Sequence, residues 1–234
     1  MPPQLSVIIP ALNEEELIER CISFVEKNVA VKDHIEIIVV DAGSTDGTMG
    51  QIPTNIRVYQ HPEFAGHKYK SLNQGAQYAC GEYLLFLDVD TLVPERFDEL
   101  IIKSLLDNNI AGGAFEFRFE ERIFPLIIIE FCNRFRYRVR QSYYGDQGVF
   151  VRKSAFDQAG GYPPQRLMES AHLCYKLKKI GRLKLIKSKI TTSGRRFISG
   201  GILTVFAYNI KIWILNFLGF DIQKYADGYW SKRP

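Results

Sequence analysis

Four short apolar runs, each closed by turn-forming residues, constrain this chain more than any other feature. Residues 5–9 (LSVII), 35–40 (IEIIVV) and 83–87 (YLLFL) are nearly unbroken apolar stretches of the kind buried on both faces of a sheet. Residues 56–59 (IRVY) form a shorter fourth run. Helical patterns lie between them. Leu17, Ile18, Cys21, Ile22 and Val25 recur at helical spacing behind Asn13, a candidate helix cap followed by Glu14, Glu15 and Glu16. A second helix is expected over 66–80. A third is expected from Pro94, at the first-turn position where a missing N–H costs nothing. This alternation predicts an α/β fold with a mixed, mostly parallel sheet flanked by helices. Ligands of such sheets bind outside the carboxyl ends of the strands. The acid-bearing segments 13–15, 41–46 and 88–90 all come after strands, so they are expected to gather at one sheet edge.

The second half is less regular. Residues 111–119 alternate like a strand, 123–131 are apolar with a proline inside, and 134–140 alternate arginine with apolar residues. A loop at 145–148 precedes a strand at 149–152, and a Gly- and Pro-rich loop comes next at 160–164. Residues 168–180 read as helix and 183–191 as strand. With 234 residues, 46% apolar and 24% charged, the chain is an ordinary globular one and not a disordered or disulfide-stapled one. Cys21, Cys80, Cys132 and Cys174 form no Cys-x-x-Cys pair and read as buried small hydrophobes in a reducing compartment. No basic stretch precedes the first apolar run, so a cytoplasmic protein is expected.

Two clusters of acids carry chemistry. Asp88 and Asp90, two apart in a turn, can present oxygens to one hard cation, Mg²⁺ or Mn²⁺, with phosphate and water completing the shell. Asp41 ends a strand, where its carboxylate can accept from a nucleotide base, while Ser44, Thr45 and Asp46 cap the next helix. Charge is also unevenly placed. Residues 1–174 sum to −7 and residues 175–234 to +11, which suits a face that meets an anion.

Four segments then resemble one family in order and spacing. They are 6–15 (SVIIPALNEE), 39–48 (VVDAGSTDGT), 72–75 (LNQG) and 86–90 (FLDVD). Together they look like family 2 glycosyltransferases of the GT-A fold. Residues 145–152, 160–162, 167–169 and 192–196 extend the likeness toward a small single-domain bacterial subgroup associated with radical-SAM/selenium proteins or arsenosugar synthesis. The resemblance implies one domain. Residues 1–110 would bind a nucleotide-diphospho-sugar, 111–200 the acceptor, and 201–234 would form a C-terminal apolar helix. It implies a metal-dependent, inverting transfer from a UDP- or GDP-sugar to an acceptor hydroxyl, on a lipid-linked or a small molecule. Pro10, Asn13, Glu15 and Asp41 match the nucleoside pocket, and Ala11 and Ser44 join them in the nucleotide-sugar set. Lys70, Asn73, Asp88, Arg195 and Arg196 complete the donor set, with His67 and Lys68 as secondary candidates. Asp90, with Asp88, matches the metal position.

The chain departs from the family at Glu169-Ser170, where an acid pair supplies the usual general base. Glu169 is then the first candidate for that base and Asp146 the second. A third reading is a degenerate transferase that binds nucleotide but lacks its base because of Ser170. His172, one helical turn on, can orient Glu169 or stand at the surface. A nucleotidyltransferase is a further alternative, disfavoured because no Gly-rich basic loop comes after the first strand. No motif for nucleic acid is present. Residues 202–220 approach spanning length but carry Asn209, Lys211 and Asn216. They read either as a helix at a membrane surface, which would make the protein peripheral, or as a core helix with a homodimer contact.

Overall fold

The apolar runs do pair into one sheet. The computed structural model describes residues 2–230, excluding the side chains at 135, 136 and 230. Residues 231–234 of the expected C-terminal segment lie outside the described residues. Strands β1 (Leu5–Ala11), β2 (Ile35–Asp41), β3 (Arg57–Gln60) and β4 (Tyr83–Phe86) are mutually parallel. The proline in β1 costs no ladder bond: Pro10 faces the β4 side, and pairing with β4 ends at Ile8 opposite Phe86.

Beyond β4 the expected parallel order fails. Strand β7 (Val149–Arg152) runs antiparallel to β4, and β6 (Ile110–Phe119) antiparallel to β7. Strand β8 (Arg182–Thr192) is parallel to β6, and the two-residue β5 (Thr91–Leu92) closes the edge antiparallel to β8. The sheet is therefore mixed, with its parallel part confined mainly to the first half. This reversal matters for position. Val149 pairs with Phe86, so the loop before β7 starts beside the carboxyl end of β4. Thr192 pairs with Thr91, so the chain leaving β8 does the same.

Helices cover both faces. In α1 (Ile18–Asn28) Ile18, Cys21, Ile22 and Val25 are buried on one side. Helix α1 starts later than Asn13, which takes a left-handed conformation (φ 54°) and caps no helix. Helix α2 (Lys68–Tyr78) packs so closely on β1 that a Cβ at Gly75 would stand 2.4 Å from Ile8 Cγ2. Helix α3 (Phe97–Leu105) starts after left-handed Arg96 and not at Pro94. The apolar 123–131 stretch and the arginine-rich 134–140 stretch are one helix, α4 (Phe124–Arg140), with Pro125 in its first turn. Helices α5 (Lys153–Gln158), α6 (Glu169–Leu177), α7 (Arg195–Ser199), α8 (Ile202–Phe217) and α9 (Ala226–Trp230) complete the chain. Among the described residues no helix is long and apolar enough to cross a membrane. Two cysteines, Cys21 and Cys174, are buried as expected, whereas Cys80 and Cys132 are exposed.

The tightest joint in the sheet is at Gly113 of β6. A Cβ there would fall 2.0 Å from the Lys184 carbonyl oxygen and 2.5 Å from the Phe150 ring. The Lys184 oxygen belongs to a strand backbone and cannot move alone. Gly113→Ala is expected to lower unfolding stability by about 3 kcal/mol, read as a shifted urea midpoint with unchanged slope.

Candidate active site

The carboxyl end of β4 delivers Asp88 and Asp90 to a cavity of about 830 Å³. Lys68, the first residue of α2, places Nζ 2.5 Å from Asp88 Oδ1 and 3.8 Å from Glu169 Oε1. Glu169 is the first residue of α6 and is nearly buried. The N-terminal ends of two helices thus meet here, which favours anionic groups. The loop before β7 comes close to both: a Cβ at Gly145 would lie 2.7 Å from Asp88 Oδ2 and 3.0 Å from Lys68 Nζ, the free ends of two side chains. Asp146 and Ser170 also line the cavity.

The electrostatics arise from crowding. Burial and the neighbouring Asp88 push the Asp90 carboxyl up to about 6, with Arg195 and Lys68 pulling the other way. Burial also raises Glu169, which Lys68 opposes and Asp88 reinforces. Burial works against the charge on Lys68, but Asp88 and Glu169 outweigh it and hold the ammonium above the usual lysine range. Two mutually repelling carboxylates with hard oxygen donors suit a divalent cation, which would relieve that repulsion. Among the described residues no three His, Cys, Asp or Glu side chains form a closed metal site. A cation held by Asp88 and Asp90 would take the rest of its shell from ligand oxygens and water.

The residues matched to a nucleoside pocket sit at the neighbouring strand ends, outside this cavity. They clip two loops together. Asn13 N donates to Ser44 Oγ (2.8 Å), and Thr45 N donates to Asn13 Oδ1 (2.8 Å). Gly47 N donates to Glu15 Oε2 (2.6 Å). Buried Asp41 accepts from Gly43 N, Ser44 N and the Ser44 hydroxyl. Pro10 and Ala11 lie opposite Val40 and Asp41 in the β1–β2 register. Asp46, as expected, caps a short turn: its Oδ1 accepts from Thr48 N.

Other candidates separate. Lys70 lies over the Phe64 ring, 5.9 Å away, and does not line the cavity. Asn73 uses both ends of its amide on the backbone of Tyr162, at 2.8 and 3.0 Å. Arg195 Nη2 pairs with Glu14 Oε2 (2.7 Å), while Arg196 lines the cavity beside Tyr229. His172 bonds Asn216 (3.2 Å) and so is not the partner of Glu169. Lys68, only a secondary candidate by sequence, is the cation that joins Asp88 to Glu169. No local pattern distinguishes it from Lys70, since only the helix start fixes which lysine faces the acids.

This arrangement has close relatives in shape. A mannosyltransferase from Pyrobaculum calidifontis, solved with GDP-Man and Mn²⁺, superposes with TM-score 0.66 at 24% identity, over 90% of this chain and 65% of that one. Glucosyl-3-phosphoglycerate synthase from Mycobacterium tuberculosis, solved with Mn²⁺ and UDP-glucose, gives 0.63 at 19% identity, over 94% and 80%. These likenesses define the fold as that of the GT-A glycosyltransferases. Residues 6–156 match glycosyl transferase family 2, and the chain belongs to that family. Glycosyltransferase AglE of Haloferax volcanii is 33% identical over 125 residues, 50% of this chain and 41% of AglE. The poly(ribitol-phosphate) beta-glucosyltransferase of Bacillus spizizenii is 30% identical over 96 residues, 38% of this chain and 15% of that protein. The chain thus spans less than half the length of these curated relatives.

Proposed function

We propose that this chain transfers a sugar from a nucleotide-diphospho-sugar to an acceptor hydroxyl, with inversion at the anomeric carbon. The observation that carries the reading is the meeting of Asp88, Asp90, Lys68 and Glu169 in one cavity of a family 2 chain. The GDP-Man and UDP-glucose bound by the two structural relatives support a donor of that class. In this reading residues 1–110 hold the donor, with Pro10, Ala11, Asn13, Glu15, Asp41 and Ser44 around the nucleoside. Asp90 and Asp88 hold Mg²⁺ or Mn²⁺, which neutralises the leaving diphosphate when bound. Arg195, Arg196 and Lys68 add positive charge at the same end.

Glu169 takes the proton from the attacking hydroxyl. A carboxyl raised by burial is a stronger base than a free one, and Lys68 opposes that rise by favouring the charged form. Ser170, 2% exposed, forms the wall beside it. Its hydroxyl titrates far too high to act as base. A second reading, a nucleotide-binding protein without turnover, rests on that serine.

Ser170→Asp separates the two. It adds a second carboxylate next to Glu169 in a buried position, where like charges oppose each other. With Glu169 as base, donor cleavage measured with water as acceptor is expected to stay within about threefold of wild type or to fall. A gain of about tenfold or more would mean that the natural chain lacks its base.

A further inference from the structure

The cavity does not end at the carboxylates. It continues between α4 and α8, where Ile129, Cys132, Phe206, Ile210 and Trp213 make its wall largely apolar. Asn133, Arg140 and Asn209 give this wall polar points, but between them it is apolar, where a sugar's hydroxyls would be buried unpaired at a cost. An apolar arm fits this chamber.

The outer faces of the same two helices are also apolar and exposed. On α4 these residues are Phe124, Ile127, Ile128 and Phe131, spaced as one helix face, opposite the buried Leu126, Ile129 and Glu130. On α8 they are Leu203, Ala207, Ile210, Ile214 and Phe217, again one face. Ile210, Cys132 and Val139 both line the chamber and reach the surface, so the chamber opens onto these stripes. Neither helix exposes an acid: Glu130 is buried against Arg122 and the Phe119 N–H. Exposed Arg140, set over Trp213 and Phe217, and exposed Lys211 stand beside the stripes. An apolar surface flanked by cations, on helices too short to span, matches the boundary of an anionic bilayer.

We infer that the acceptor is an amphipathic lipid drawn from an anionic bilayer on which α4 and α8 dock, its polar head at Glu169 and its apolar arm in the chamber between these helices. This rests on the transferase reading above.

Cys132 reports chamber occupancy without any activity assay, and Cys80, exposed and outside the chamber, is an internal control. Decyl phosphate, below its micellar concentration, is expected to slow maleimide labelling of Cys132 by about tenfold while leaving Cys80 unchanged. Methyl phosphate is expected to slow neither. Equal labelling of Cys132 with both phosphates overturns the inference. The protein is also expected to sediment with phosphatidylcholine vesicles containing about 30 mol% phosphatidylglycerol, and not with pure phosphatidylcholine. The triple variant Phe124→Glu, Phe131→Glu, Leu203→Glu changes three side chains that are 74, 71 and 79% exposed, so the core is untouched. It is expected to lose about tenfold in vesicle partition and to keep nucleotide binding. Wild-type protein that stays in solution, or partitions no better than the variant, overturns the inference. So does a stable dimer whose Cys132 is already shielded, since a second copy would then cover the stripes. Nucleotide titration of the same samples tells the two failures apart. Retained nucleotide binding with an empty chamber sinks only the lipid acceptor, whereas no nucleotide binding sinks the transferase reading itself.

Discussion

Glu169→Gln is expected to slow donor cleavage in a single turnover by about 10²- to 10⁴-fold, the usual worth of a positioned base. The amide keeps the size of the side chain and removes only the ability to accept a proton. Glu169 stands 3.8 Å from Lys68 Nζ, and its carboxyl is raised by burial. Losing one buried carboxylate beside Asp88 also relieves repulsion, so nucleotide affinity and urea midpoint should hold or rise. That split between rate and stability marks a chemical role. Asp146→Asn, at the loop residue on the same cavity, is expected to cost much less. If Asp146→Asn gave the larger loss, the base would be Asp146.

Asp90→Ala is expected to lower metal-dependent donor cleavage by about 10²-fold or more, because the proposed cation site relies on Asp90 and Asp88. Its effect on folding should have the opposite sign. Burial and Asp88 already push this carboxyl up to about 6, so the folded chain carries a charge it disfavours. Removing it should leave the urea midpoint unchanged or higher. A rate within a few-fold of wild type, or a variant that unfolds readily, would make Asp90 a structural residue.

The first half of this molecule is legible because its strands are apolar and parallel. Each parallel strand sends its carboxyl end to the same edge, so Asn13, Asp41 and Asp88 reach that edge by geometry alone, Asp88 on the cavity and the other two beyond it. The second half is not legible in that way. Strand β7 looks like any short apolar run, and nothing in VFVR states that it pairs antiparallel with β4. Yet that reversal is what brings Gly145 beside Asp88 and Asp146 to the same cavity. Helix α4 is hidden for a different reason. Pro125 and the alternating arginines break the apolar pattern, although a proline in the first turn leaves a helix intact. Lys68 and Lys70 show the finest limit: two residues along one helix turn a side chain away from the acids, and only the packed structure fixes which one faces them.

The most direct test is calorimetric titration of the wild-type chain with UDP, GDP and CDP, each with Mn²⁺ and again with EDTA. A nucleotide-sugar transferase built on Asp88 and Asp90 should bind one of the three with Mn²⁺ and lose most of that affinity in EDTA. Failure to bind any of them with Mn²⁺ present would contradict the reading of this cavity as a donor site.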